Sequence, residues 1–382
     1  MPKWFDKAEV NTGRQPEFDY LKGFFMVLIY IVHAFQTTLS PEDTAMKLIY
    51  IFNSVSGAAI FIFVMGFGTV YSKSASAAGF AGSGVKLIIY QYLNNLAFVA
   101  ALLLPYPFVA ASLTDSGKGV MNALIPIYLQ YTNIFFISGI IYLIMALLKK
   151  LNAHVAVYLI LGTAVSLAAP FLYNLPVDVP VLGYVVRLLI GEADYTSFTP
   201  LYFLTYALFG VAFAKLFRRV NNKRRFYLTA LPVCAVISVA WWVTFIMQTG
   251  TELSAVRKAS GIGYINPDLW HVVASIAHIL IMAAVIYFII EKSAARKKAK
   301  GIERQNPVSK QLLYYSKHIS KFYALHILTY IAALGFHGYL PFESWQCWVL
   351  TVICMIITEV LVRGYNKIYD TIKKRKAAKT DG

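Results

Sequence analysis

Residues 18–33 read Phe18-Asp19-Tyr20-Leu21-Lys22-Gly23-Phe24-Phe25-Met26-Val27-Leu28-Ile29-Tyr30-Ile31-Val32-His33. From Tyr20 to residue 39 the run is mostly apolar, with Lys22 and His33 as its only basic groups. A helix that crosses a bilayer needs about 20 mostly apolar residues. This run is long enough. The segment before it has no small-residue cleavage site, so it is expected to stay as a span rather than be removed as a signal peptide.

Nine further stretches of the same kind follow, at about 47–71, 85–106, 126–148, 153–173, 199–217, 226–247, 268–290, 319–338 and 343–363. The segment 176–197 is apolar but carries Pro176, Asp178, Pro180 and Arg187, and it reads as a re-entrant or interfacial piece rather than an eleventh span. The expected fold is therefore an all-α polytopic membrane bundle of about ten transmembrane helices. It forms a single integral-membrane domain over 1–382 that ends in a basic tail, 364–382.

Composition agrees. The chain has 382 residues, 58% hydrophobic and 14% charged. Soluble globular domains are nearer 45–50% apolar and 25% charged. An ordinary soluble enzyme and a disordered tail are both excluded. The 26 Tyr and 26 Phe suit helices that meet lipid and its interface. Cys234, Cys347 and Cys354 all fall in apolar runs, which gives no disulfide framework or zinc spacing and reads as packing thiols.

The formal charge of +17 is explained by where the basic residues fall. With ten spans, thirty of the 35 Lys and Arg lie on the side of the termini, including Lys3, Lys73, Lys86, the cluster Lys215–Arg225, the segment 292–321 and the tail from Arg363. Only Lys47, Lys118, Arg187, Arg257 and Lys258 fall on the other side. The positive-inside rule then predicts cytoplasmic termini. The charge needs no nucleic-acid partner.

Ionisable groups inside spans are costly and mark functional sites. Lys22 and His33 are eleven residues apart, close to three helical turns, so they share a face about 16 Å apart along the axis. Asp19 is one turn before Lys22 and within pairing distance. A cation at the membrane edge with an imidazole deeper suits an anionic substrate whose reactive end reaches a general base. The plainer reading has His33 bonding a neighbouring helix and Lys22 reaching the headgroups.

Other polar positions read mainly as packing. Gln91, Asn94 and Asn95, with Gln130, Thr132 and Asn133, are helix-to-helix amides that can also line a polar cavity. His271 and His278 share a face but lack ligand neighbours, so no metal site is expected. Asp268 reads as a helix cap, Glu359 and Arg363 as an i,i+4 pair, and Gly57, Gly66 and Gly68 as sites of close backbone approach. The sequence contains no Walker loop, Rossmann fingerprint, zincin motif or Gly-x-Ser-x-Gly elbow.

Asp19, Lys22-Gly23 and His33 together resemble the opening of the membrane acyltransferase-3 family, part of a transmembrane acyltransferase group with the heparan-glucosaminide acetyltransferase-like proteins. That family begins with an Asp, a basic residue followed by Gly, and a His eleven residues after the basic one. Phe61-Ile62-Phe63-Val64-Met65-Gly66-Phe67 is similar to its aromatic Ser-Gly-Phe segment, with Met65 in place of Ser. Tyr323-Ala324-Leu325-His326 is similar to its late Tyr-Leu-x-His. The chain departs from the family in having Lys22 where Arg is usual, and in offering Lys86, Asn94 and Asn95 where an Arg-x-x-Arg pair is common. Lysine keeps the charge but not the bidentate geometry of arginine.

The resemblance implies transfer of an acyl group, usually acetyl, from cytoplasmic acyl-CoA to a hydroxyl of an envelope glycan or lipid-linked sugar, in the plasma membrane of a bacterium and without a metal. In that reading His33, Lys22 and Asp19 are the catalytic set, with His33 either the general base on the acceptor hydroxyl or the first acyl acceptor in a two-step relay. Lys22, Lys86 and Asn94 hold the coenzyme, and His326, Tyr323 and Asn95 line the cavity. A transporter or flippase of a polar or amphipathic molecule, or a non-catalytic relative, would use the same bundle.

Overall fold

The structure is a computed structural model, and it describes residues 4–72, 76–173, 175, 179–191, 199–265, 267–300 and 306–380. Lys3, Lys73, Pro176, Asp178 and Arg304 lie outside the described residues. The chain is all-α, as its sequence predicts. Its helices are α1 Pro16–Thr37, α2 Thr44–Tyr71, α3 Ala77–Leu103, α4 Tyr106–Val109, α5 Asp115–Gln130, α6 Ile134–Lys150, α7 Val155–Leu172, α8 Pro180–Ile190, α9 Pro200–Phe217, α10 Lys223–Thr249, α11 Leu253–Ile265, α12 Leu269–Lys300, α13 Pro307–Lys317, α14 Ile319–Phe336 and α15 Ser344–Thr380, with a 3₁₀ turn over Ala110–Ser112. Helices suit this composition because lipid supplies no partner for backbone N–H and C=O, so each segment must satisfy its own.

Among the described residues, ten helical stretches are long and apolar enough to cross a membrane, and each overlaps one of the ten expected segments. They are α1, α2, α3 continued through α4, α5 with α6, α7, α9, α10, α12, α14 and α15. The segment 176–197 contributes α8, whose 11 residues rise only about 16 Å, too short for a span. Two stretches outside the expected spans also turn helical: α11 precedes α12, and α13 lies within the basic connection 292–321.

The described residues divide into two compact units. The first holds Met1–Lys22, Lys47–Leu93 and Gln130–Asn306. Here α7 runs along α9 and α10 along α12. α2 and α9 cross closely: a Cβ on Gly66 would fall 2.1 Å from the Ala207 carbonyl oxygen, and one on Gly210 would fall 2.2 Å from that of Phe63. Of the three glycines expected to allow close approach, only Gly66 does so. Gly68 faces open space, and Gly57 crowds only Asn53 of its own helix. Phe67, from the aromatic segment, packs with Phe18, Phe213 and Phe217.

The fourth expected span is broken in this unit. α5 stops at Gln130 and α6 restarts at Ile134. Gln91 of α3 takes up the freed backbone: its Nε2 donates to the Tyr131 carbonyl (2.8 Å), and its Oε1 accepts from the N–H groups of Asn133 (3.1 Å) and Phe136 (3.3 Å). Asn133 caps α6 by accepting from Phe135 N–H at 2.8 Å. Backbone groups freed at a helix break need partners of this kind.

The N-terminal segment lies on the α9–α10 corner, with an isolated bridge Phe5–Val220 and N–H bonds from Asp6, Val10 and Asn11 to the carbonyls of Arg219 and Arg218. Much of the basic cluster 215–225 is spent here. Arg218 pairs with Glu9 at 2.8 Å, Lys215 donates to the Ala153 carbonyl at 2.8 Å, and Lys223 pairs with the fully buried Glu17 at 2.7 Å. Asp268 caps α12 by accepting from His271 N–H. His278 spends both ring nitrogens, one accepting from Trp242 Nε1 (3.2 Å) and one on the Ala274 carbonyl (2.7 Å).

The second unit holds Gly23–Met46, Asn94–Leu129 and Pro307–Gly382. α14 runs along α15, and α4 and α13 pack on α14. A Cβ on Gly23 would fall 2.1 Å from the Leu312 carbonyl oxygen, so this glycine lets α13 approach α1. The Glu359–Arg363 pair forms and extends to Gln311, which donates to Glu359 (2.8 Å) and accepts from Arg363 (3.0 Å). All three cysteines are buried and free.

Candidate active site

In the second unit the structure brings together His33, His326 and Tyr323. His33 Nδ1 lies 2.8 Å from His326 Nε2. The ring planes are within 5° of parallel and the centroids are 5.0 Å apart. Since the two nitrogens are much closer than the centroids, the rings meet edge to edge. His326 Nδ1 is in turn 2.8 Å from the Phe322 carbonyl, one turn back on α14. The result is a short chain: imidazole, imidazole, backbone carbonyl.

The sequence builds this by helical spacing. Tyr30 and His33 on α1 are three apart, and so are Tyr323 and His326 on α14, so each histidine shares a face with a tyrosine. The His326 ring is surrounded by Tyr30 (4.9 Å), Tyr323 (5.6 Å) and Tyr330 (6.0 Å). Tyr330 also fastens α14 to α1 by donating to the Tyr30 carbonyl at 2.9 Å. His326 has no exposed surface, while His33 is half-buried. His326 is thus held at both ring nitrogens, while His33 is held at Nδ1 and keeps some exposed surface.

Asp19 and Lys22 are joined in the first unit, with Lys22 Nζ 3.1 Å from Asp19 Oδ1. Arg14, which spacing along the helix did not single out, takes the other carboxylate oxygen at 2.6 Å. Both acidic residues of the first turn of α1, Glu17 and Asp19, suit the positive end of the helix dipole. Lys86 is exposed with its ammonium 5.4 Å from the Tyr90 ring centre. Asn94 is buried, and Asn95 donates to the Leu129 carbonyl at 3.1 Å, as a helix-joining amide does.

Sequence reasoning missed the Phe322 carbonyl, Tyr30 and Tyr330 as parts of the histidine site. Their spacing of three or four residues from His33 and His326 was the available signal. Comparison with known proteins returned no match to any family model, curated protein or solved structure.

Proposed function

We propose that this chain is an integral-membrane O-acyltransferase that moves an acyl group, acetyl by preference, from acyl-CoA to a hydroxyl of an envelope glycan or lipid-linked sugar. The observation that carries the reading is the half-buried imidazole of His33, set in an apolar helix and held through one nitrogen by a second imidazole. The first-helix resemblance to acyltransferase-3 proteins supplies the reaction class.

His33 acts as general base. As the acceptor oxygen bonds to the thioester carbonyl carbon, its proton passes to the free nitrogen of His33. The tetrahedral species then expels the coenzyme thiolate, which takes the same proton back. Ester and free thiol leave, and the imidazole is restored. Asp19 holds Lys22, and the resemblance gives Lys22 the anionic part of the donor. Cytoplasmic termini, which follow from the basic-residue distribution, put Lys22 on the side where acyl-CoA is made.

The interrupted span at Tyr131–Asn133 favours a second reading, since broken helices build the sites of many transporters. One experiment separates them. Purified protein in nanodiscs is mixed with acetyl-CoA labelled in the acetyl group and envelope membranes from cells that lack the protein. Transfer of label to membrane material, abolished in His33→Ala, supports the enzyme. Wild-type protein that moves no label removes it, and uptake of labelled sugar into sealed vesicles would then favour transport.

A further inference from the structure

Resting on the acyltransferase reading, we infer that His326 is a positioning residue that dictates which nitrogen of His33 reacts. The argument counts donors and acceptors. The Phe322 carbonyl only accepts, so His326 Nδ1, 2.8 Å away, carries a proton. In a neutral imidazole the other nitrogen is then an acceptor, so His326 Nε2 offers a lone pair. His33 Nδ1 faces that lone pair at 2.8 Å and supplies the proton between them. The single proton of neutral His33 is thereby held at Nδ1, and Nε2 keeps a bare lone pair.

His326 is well placed to impose this choice. It is fully buried, three tyrosine rings surround it, and the Thr329 hydroxyl holds its backbone carbonyl at 2.6 Å. The near-parallel ring planes put the Nδ1–H of His33 in line with the His326 lone pair. Without His326 the His33 proton is free to sit on Nε2, and a ring in that form cannot accept the proton of the attacking hydroxyl at that nitrogen.

Two substitutions separate positioning from mere packing. His326→Gln keeps an oxygen able to accept from His33 Nδ1. His326→Phe keeps the bulk and accepts nothing. In the acetyl-transfer assay, His326→Phe should lower kcat about a hundredfold, the lower end of what a positioned base contributes. KM for acetyl-CoA should change less than about threefold, and His326→Gln should stay within about tenfold of wild type. Nitrogen-15 NMR of histidine-labelled protein in nanodiscs reads the tautomer directly. His33 should be protonated at Nδ1 in wild type and His326→Gln, and shift towards Nε2–H in His326→Phe.

A wild-type His33 protonated at Nε2 overturns the inference, as does a glutamine variant as inactive as the phenylalanine one. The NMR measurement needs no turnover. Wild-type protein that shows the Nδ1–H tautomer yet transfers no acetyl would therefore defeat the acyltransferase reading while upholding the role of His326 in fixing the ring.

Discussion

Glu17 carries its carboxylate with no exposed side-chain surface, held by Lys223 at 2.7 Å and by the Tyr227 hydroxyl at 3.2 Å. Removing one partner of a buried pair leaves an uncompensated charge and costs roughly 3–5 kcal/mol. Lys223 retains some exposure, so Lys223→Met should cost near the lower end, about 3 kcal/mol. Thermal unfolding in detergent should show a clear drop in midpoint, largely recovered in the double variant with Glu17→Gln. His318, between α13 and α14, gives a pH prediction. Burial, reinforced by Lys321 and Lys317, lowers its pKa below the ordinary 6.5. The unfolded corner therefore takes up the proton first, and stability present above about pH 6.5 is lost as pH falls below it. Protection factors from hydrogen exchange over residues 313–322, corrected for the intrinsic pH dependence of exchange, should fall between pH 7.5 and 5.5, and less so in His318→Asn. Single residues were legible in the sequence where their partner is local: Asp19 with Lys22, Asp268 as a cap, Glu359 with Arg363. His33 and His326 were each visible as ionisable groups in apolar helices, but their contact spans 293 positions and depends on how α1 meets α14.

At the scale of elements, hydrophobic length located the spans, because lipid imposes a simple requirement on a helix. It did not reveal the break at 131–133. That break is stable because Gln91, some forty residues earlier, bonds to Tyr131, Asn133 and Phe136, a contact no local pattern encodes. The helices α11 and α13 were missed because both are short, 13 and 11 residues, below the length of a span. The α2–α9 crossing yields a sharp test. Gly66→Ala places a methyl against the Ala207 carbonyl, whereas Gly68→Ala points into open space. Tight helix contacts in membranes rest on such small residues. Gly66→Ala should cut the yield of monodisperse protein and lower its melting midpoint, while Gly68→Ala should match wild type within experimental error. Equal behaviour of the two would show that this contact does not govern stability.

For the molecule as a whole, the all-α class and the ten apolar stretches could be read from hydropathy alone. Side-by-side contacts such as α7 with α9 and α10 with α12 could not, since any apolar face satisfies lipid as well as it satisfies another helix. Orientation rests on charge: thirty of 35 basic residues fall on the side of the termini when the ten spans are threaded. A fluorescent reporter fused after residue 382 should be active in the cytoplasm of a bacterial host, and a phosphatase reporter inserted at Leu113-Thr114, between the third and fourth spans, should be active outside. The opposite pattern would invert the topology and place Lys22 away from cytoplasmic acyl-CoA.

The last helix runs without a break for 37 residues, about 55 Å, well beyond the roughly 30 Å of a bilayer's hydrocarbon. It is gripped partway along, where Arg363 and Glu359 engage Gln311, and Asn366 engages Lys321 and Tyr314. A rod clamped at such a fulcrum is a lever. A load on its far end would bear on the corner from which α14 starts, two turns before the buried ring of His326.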